Sequence, residues 1–137
     1  MSSISPNPSV KIDIASEQDI ILLVQNFYRY VNANHILRPY FQNVNWDQHL
    51  PIMYAFWSNT LLYKGGYHGN PMKAHTQLHL RMPMTAEVFD QWVHLFIYTV
   101  DELFEGVVAT LAKQRATSIA VVMRMKIING YMASEPC

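Results

Sequence analysis

Apolar residues recur at intervals of three and four along four stretches of the sequence, and no useful length alternates apolar with polar residues. This spacing places the apolar side chains of each stretch on one face of an α-helix, whereas a half-buried strand needs an interval of two. The sequence therefore predicts an all-α fold, in which four longer helices bury their apolar faces against one another.

Capping residues and prolines set the bounds of the first predicted helix. Ser16 and Asp19 resemble a capping box, with aspartate in the place of glutamate. The helix should end near Asn34, because Pro39 cannot continue it and disfavours helical backbone at the residue before it.

The second predicted helix contains a proline that complicates its start. Asn45 or Asp47 is the expected cap, and the apolar face continues to Leu61. A proline deep in a helix costs about 3 kcal/mol, so we expect Pro51 in the first turn or at a bend.

The second half of the chain shows a short helix and two longer ones. Residues 64–70 form a loop by composition, and Met72 to about Leu78 form a short helix that carries His75. Thr85 caps the third long helix, and the last one spans Val107–Asn129. The residues that we predict to line the buried face of the last helix are Val108, Leu111, Ala112, Ala116, Ile119, Val122 or Met123, and Met125 or Lys126.

Length and charge limit the domain organisation and the class of partner. The 137 residues fit one domain, which we place at 16–131 between flexible tails at 1–15 and 132–137. Equal numbers of acidic and basic residues argue against a nucleic-acid binder with a basic face and against a polybasic membrane anchor. The longest uncharged run, Gln48–Tyr63, is too short and too polar to span a bilayer, and the first residues lack a signal-peptide core. We therefore expect a cytoplasmic protein.

Large rings and soft side chains line the predicted helix faces, and a few polar groups lie among them. The large apolar residues are Phe27, Phe41, Met53, Phe56, Trp57, Phe89, Trp92 and Phe96. The polar candidates are Tyr28, His49, His75 and the indole N–H of Trp92. Two interpretations stay open. In an ordinary core, each of these groups bonds a backbone carbonyl or water. In a binding site, the four of them together surround a flat apolar ligand.

The histidines allow one alternative, which is a zinc site. His75 and His79 are four residues apart, as metal ligands on one helical turn are, and His68 offers a third imidazole. However, Thr76 stands where a zinc hydrolase has its glutamate, and no cysteine lies nearby, because the single cysteine is Cys137. The pattern disfavours a zinc hydrolase. We expect His35, His68 and His94 to be exposed.

An ordered set of short motifs resembles the truncated haemoglobins of the third group, which are bacterial globins with a two-over-two helical sandwich. The resemblance covers residues 16–128. The segments that carry it are Asn26–Tyr28, Pro39–Phe41, Trp46–Leu50, Ala55–Trp57, Tyr67–Pro71 and Met72–His75, followed by Phe89 with Trp92, Asp101-Glu102 with Phe104, and Arg115-Ala116 with Ile119-Ala120. Gly65-Gly66 follows the second helix, but the first helices are not separated by a glycine pair, which favours the third group.

The resemblance implies a haem b pocket and a role for each matching residue. His75 corresponds to the proximal histidine that binds the iron, and Phe41 to the ring that packs flat on the porphyrin. Tyr28 and Trp92 correspond to distal hydrogen-bond donors, and His49 to the distal-helix position above the iron. The remaining pocket residues that it implies are Met53, Phe56 and Trp57. For His79 and Arg81, contact with the haem propionates and exposure to solvent stay equal alternatives.

The resemblance also implies a function. Oxygen, nitric oxide and other small haem ligands would bind at the iron, and two distal donors would slow the release of oxygen. We expect redox chemistry on oxygen, nitric oxide or peroxide, such as nitric oxide dioxygenase or peroxidase-like activity, with an external electron donor and a monomeric protein. One alternative is a ligand sensor or oxygen store without turnover. Another is a helical interaction module without a cofactor, which would be colourless when pure.

Overall fold

The computed structural model describes residues 10–65, 69, 73, 75, 79 and 82–128, and all regular secondary structure within these ranges is helical. The four long helices are α1 (Glu17–Ala33), α2 (Trp46–Leu62), α3 (Ala86–Leu103) and α4 (Val107–Ile127), and a short 3₁₀ helix spans Arg38–Phe41. The prediction of an all-α fold is confirmed.

The four helices form two layers of two around one core. α1 packs on α2 and on α3, while α3 packs along α4, and α2 also reaches α4. The side chains that are most completely buried are Ile14, Ile20, Leu23, Val24, Val31, Leu37, Phe96, Thr99 and Val100. In the described part of the chain no helix is both long enough and apolar enough to cross a membrane.

α1 begins and ends where the sequence predicts. The Ser16 hydroxyl accepts from the Asp19 N–H, and the Asp19 carboxylate accepts from the Ser16 N–H at 3.1 Å, so the capping box is complete. Asn34 caps the other end in an extended conformation, and its side chain accepts from the N–H groups of Ile36 and Leu37. These bonds turn the chain sharply towards α2.

Two prolines lie inside helical segments. Pro39 lies at the start of the 3₁₀ helix, where its missing N–H costs nothing, so a short helical turn follows the end of α1. Pro51 lies in the second turn of α2 rather than the first, and the helix continues through it to Leu62. The carbonyl of Asp47 therefore lacks its usual helical donor.

The buried face of α4 agrees with the prediction at Ala112, Ala116 and Met123 and differs from it elsewhere. The residues that pack into the core are Ala109, Ala112, Ala116, Ala120, Met123 and Ile127. Val122 and Met125 are instead 44% and 49% exposed. The prediction favoured the larger aliphatic side chains, but a row of alanines lets α4 approach α3 closely, and the larger groups then fall at the edge or outside.

Residues assigned to the flexible tail join the packed body. Ile14 is 1% exposed, and the Asp13 carboxylate accepts from the N–H groups of Val108 and Ala109 at the start of α4. Burial raises the pKa of Asp13, but these backbone hydrogen bonds outweigh it and hold the pKa below 3.8. A side chain at Gly106 would collide with Asp13, since a Cβ there would lie 2.4 Å from its Cγ.

The predicted short helix at 72–78 lies mostly outside the described residues. Within it, Lys73 and His75 have helical backbone, as does His79 one turn later. The His79 Nδ1 accepts from the Met84 N–H at 2.8 Å, which ties this segment to the residues that precede α3. The predicted tail at 132–137 and the predicted cap at Gly130 also lie outside the described residues.

Candidate functional site

A hydrogen bond between two predicted site residues lies where α1 meets the start of α2. The Nε2 atom of His49 is 3.1 Å from the hydroxyl oxygen of Tyr28. Tyr28 is buried on the last turns of α1, whereas His49 is half-buried on the first turn of α2. The sharp turn after Asn34 and the 3₁₀ helix bring these two helix ends together.

Burial changes the ionisation of both groups in this pair. Removal from water raises the pKa of the Tyr28 hydroxyl well above its ordinary value of 10.0, so this side chain stays protonated. Burial, followed by repulsion from His75, lowers the pKa of His49 below 6.5. His49 is therefore neutral at pH 7, and His75 lies close enough to influence it electrostatically.

Trp46 completes the ring packing around this hydrogen bond. Its ring centre is 5.1 Å from that of Tyr28 and 5.5 Å from that of His49, and it stacks on Phe41 at 6.0 Å. Trp46 was predicted for the apolar face of α2 but not for the site. Its spacing of three from His49 puts the two side chains on one helix face, but its contacts with Tyr28 and Phe41 depend on the turn between α1 and α2.

The other predicted pocket residues divide into two groups. Phe41, Met53, Phe56 and Trp92 are only half-buried. Trp57, by contrast, is 4% exposed and stacks on Phe96 at 4.6 Å, so it lies inside the core between α2 and α3.

Trp92 connects the core with the site. Its ring stacks on Phe96 at 5.9 Å and meets the edge of Phe27 at 5.8 Å. Phe27 in turn lies 5.0 Å from Tyr28. Tyr28 therefore bonds His49 directly, whereas Trp92 is linked to Tyr28 through the ring of Phe27.

The remaining histidines are placed as follows. His75 and His79 are half-buried, while His35 and His94 are exposed as predicted. His68 and Arg81 lie outside the described residues. The Nδ1 of His79 already has a backbone partner in Met84, so in its neutral form the proton of this imidazole sits on Nε2.

This arrangement of side chains fits haem. Imidazole is a common axial ligand of haem iron, and His75 and His49 both carry one, with repulsion from His75 contributing to the lowered pKa of His49. Half-buried faces of Phe41, Met53 and Phe56 offer apolar surface of the kind that contacts a flat porphyrin. Tyr28 adds a protonated hydroxyl that can donate a hydrogen bond.

Comparison with known proteins gives one relative in sequence and one in structure. The chain is 29% identical over 117 residues to the group 3 truncated hemoglobin ctb of Campylobacter jejuni, which covers 81% of this chain and 90% of that protein. The crystal structure of the group III truncated hemoglobin from Campylobacter jejuni is similar, with a TM-score of 0.77 and 27% identity over 86% of this chain and 95% of that one. No protein-family model matches the sequence.

These similarities extend over most of both chains and agree with the two-layer helical fold. A globin fold of this kind implies haem binding and, at the haem, a small diatomic ligand. The resemblance seen in the short motifs thus extends over most of the chain, which is similar in sequence and in structure to group III truncated haemoglobins.

Proposed function

We propose that this protein is a haem redox protein that acts on oxygen, nitric oxide or peroxide. The observation that carries the proposal is the hydrogen bond between Tyr28 and the neutral imidazole of His49. Haem, when bound, supplies an iron that takes a diatomic ligand and exchanges electrons. The side chains decide what happens to that ligand.

Tyr28 acts as the principal donor of the pocket. Its raised pKa keeps the proton on the hydroxyl, so it donates to a ligand that carries partial negative charge. His49 supports it when the imidazole proton is on Nε2, because Nε2 then donates to the Tyr28 oxygen and leaves the hydroxyl proton free. A hydrogen bond of this kind in a dry pocket is worth about 1–3 kcal/mol.

The other residues hold and orient the group. His75 is the proposed iron ligand, and Phe41, Met53 and Phe56 contact the porphyrin. Trp92 is the proposed second donor, through its indole N–H. Trp57 supports the pocket from the core side, since its ring stacks on Phe96.

Strong donors favour chemistry over transport. Each 1.4 kcal/mol of hydrogen-bond stabilisation slows ligand release about tenfold, and a protein that releases oxygen slowly is a poor carrier. The same donors stabilise charge that develops on oxygen during a reaction. The specific activity that we propose is the oxidation of nitric oxide or a peroxidase-like reaction.

The proposal also covers the type of haem, the oligomeric state and location of the protein, and the source of electrons. The haem is haem b, held without covalent bonds, since the sequence has one cysteine, Cys137, and no Cys-x-x-Cys-His motif. The protein is monomeric and cytoplasmic. Electrons come from a separate reductase, because the sequence has no glycine-rich dinucleotide-binding motif.

Steady-state consumption of nitric oxide tests the proposal. The haem-loaded protein, oxygen and an excess of a chemical reductant are mixed, and nitric oxide is followed with an electrode over many equivalents. We expect consumption to continue beyond one equivalent and to fall in Tyr28→Phe. The redox proposal would be contradicted if nitric oxide consumption stopped at one equivalent and the protein also failed to turn over peroxide. The protein would then be a ligand sensor or store.

A further inference from the structure

The Trp46 ring contacts the rings of Tyr28, Phe41 and His49 at the start of α2. Its ring contacts both partners of the hydrogen bond, with a tilted contact to Tyr28 at 5.1 Å and an edge contact to His49 at 5.5 Å. Phe41 stacks on the indole with an angle of 15° between the planes. The indole therefore packs beside the hydrogen bond and is itself supported by Phe41.

His49 lies in the first turn of α2, where its backbone N–H bonds the Asn45 carbonyl at 2.9 Å but few side-chain bonds anchor the helix start. Asn45 caps α2 without a side-chain hydrogen bond, and Pro51 removes one helical N–H in the next turn. His49 itself is only half-buried, so solvent is open to part of its imidazole. The position of the ring then depends on the Tyr28 hydroxyl and on the packing of Trp46.

We propose that Trp46 is a positioning residue that holds the His49 imidazole on the Tyr28 hydroxyl. By doing so it fixes which nitrogen of His49 faces Tyr28 and keeps the hydroxyl aimed into the pocket. Its effect on ligand binding rests on the proposed function, whereas its hold on the imidazole does not depend on haem.

The loss of the indole changes the balance between two positions of His49. One aromatic contact corresponds to about a 2- to 12-fold change in an equilibrium. Without the contact, the imidazole spends more time away from Tyr28, and the pocket opens at the start of α2. The aromatic ring of phenylalanine retains part of the contact, so Trp46→Phe should lie between wild type and Trp46→Leu.

Two measurements on Trp46→Leu and Trp46→Phe test the proposal. The first is nitrogen NMR of the His49 imidazole in the haem-free protein, which reports its tautomer. We expect one tautomer in wild type and an average of two in Trp46→Leu. The second is the association rate of carbon monoxide with the ferrous haem-loaded protein, which should rise by about 2- to 12-fold in Trp46→Leu.

Tyr98→Leu is the matched control, because it removes an aromatic edge contact away from the pocket. Tyr98 is 50% exposed and packs on Tyr30 at 5.5 Å. The control should match wild type in both measurements, and circular dichroism checks that every variant folds.

A single His49 tautomer and an unchanged carbon monoxide rate in Trp46→Leu would overturn the role of Trp46. If even the wild-type protein fails to bind haem, the proposed function fails, but the NMR measurement still decides whether Trp46 holds His49. The two failures are therefore distinguishable.

Discussion

Phe27 and Tyr28 are neighbours on α1, yet their rings belong to two different clusters. The core cluster consists of Phe27, Trp57 and Phe96, whose exposed fractions are 2%, 4% and 0%. The site cluster consists of Tyr28, Phe41, Trp46 and His49, of which three are half-buried. Both clusters show the same edge and stacked ring contacts.

The difference between the clusters lies in their polar atoms and their exposure. The core cluster has a single polar atom, the indole nitrogen of Trp57, and its rings are enclosed by other side chains. The site cluster contains a hydroxyl and an imidazole that bond each other. Burial of polar groups costs free energy that apolar packing would avoid, so their presence in the site cluster indicates binding rather than folding.

The largest effect should come from the core cluster. Phe96→Ala removes a fully buried ring that contacts Phe27, Trp57 and Trp92, so it should lower the free energy of unfolding by about 3–5 kcal/mol. Urea unfolding of the haem-free protein measures this loss. Tyr98→Ala, at a half-exposed ring, is the control and should cost much less. Equal losses in the two variants would remove the distinction between core and surface rings.

The site cluster should show the opposite pattern, with a large effect on ligand release and a small one on stability. Tyr28→Phe keeps the ring and removes the donor, so oxygen dissociation should become about tenfold faster or more. Stopped-flow mixing of the oxygenated protein with a ligand trap measures the rate. Tyr30→Phe removes a hydroxyl that bonds Glu102 outside the site and should leave the rate unchanged. An unchanged rate in Tyr28→Phe would exclude Tyr28 as the donor.

Asp13→Ala tests a support of the fold that lies away from both clusters. It removes the acceptor for two N–H groups at the start of α4, and loss of such a cap costs about 0.5–2 kcal/mol. We expect a lower urea midpoint with an unchanged absorption spectrum of the haem-loaded protein. A changed spectrum would mean that the pocket depends on the packing of residues 10–15.

The smallest effect should be a pH dependence caused by His49. Its pKa is lowered below 6.5 in the folded protein, so the unfolded chain takes up this proton first as the pH falls. The free energy of unfolding of the haem-free protein should therefore decrease below about pH 6.5, and it should decrease less in His49→Gln. Parallel curves for the two proteins would contradict the burial of a neutral His49.

Much of the fold follows from local signals in the sequence. The capping box at Ser16, the cap at Thr85 and the helix end at Asn34 depend on residues within one turn, and the structure agrees with all three. The buried face of α4 was predicted correctly at Ala112, Ala116 and Met123 but missed Ala109 and Ala120, because close approach to α3 favours small side chains that a search for large apolar residues passes over. Asp13 was missed for a similar reason, since its partners lie in α4, far along the sequence.

The sequence predicted which residues form the site better than it predicted which of them contact one another. Tyr28, His49 and Trp92 were identified as polar groups on apolar faces, and the structure joins Tyr28 to His49 directly and to Trp92 through Phe27. Trp46 was missed as a site residue, because its contacts with Tyr28 and Phe41 depend on the turn between α1 and α2. Such a turn cannot be positioned from helix periodicity alone.

The absorption spectrum of the purified protein, with His75→Ala as its partner variant, tests the central claim most directly. We expect wild type to show the Soret band of haem in the ferric and ferrous forms, and His75→Ala to lose or shift it, because the imidazole that binds the iron is gone. A colourless protein that takes up no added haemin, or an identical spectrum in His75→Ala, would contradict the assignment of His75 as the iron ligand.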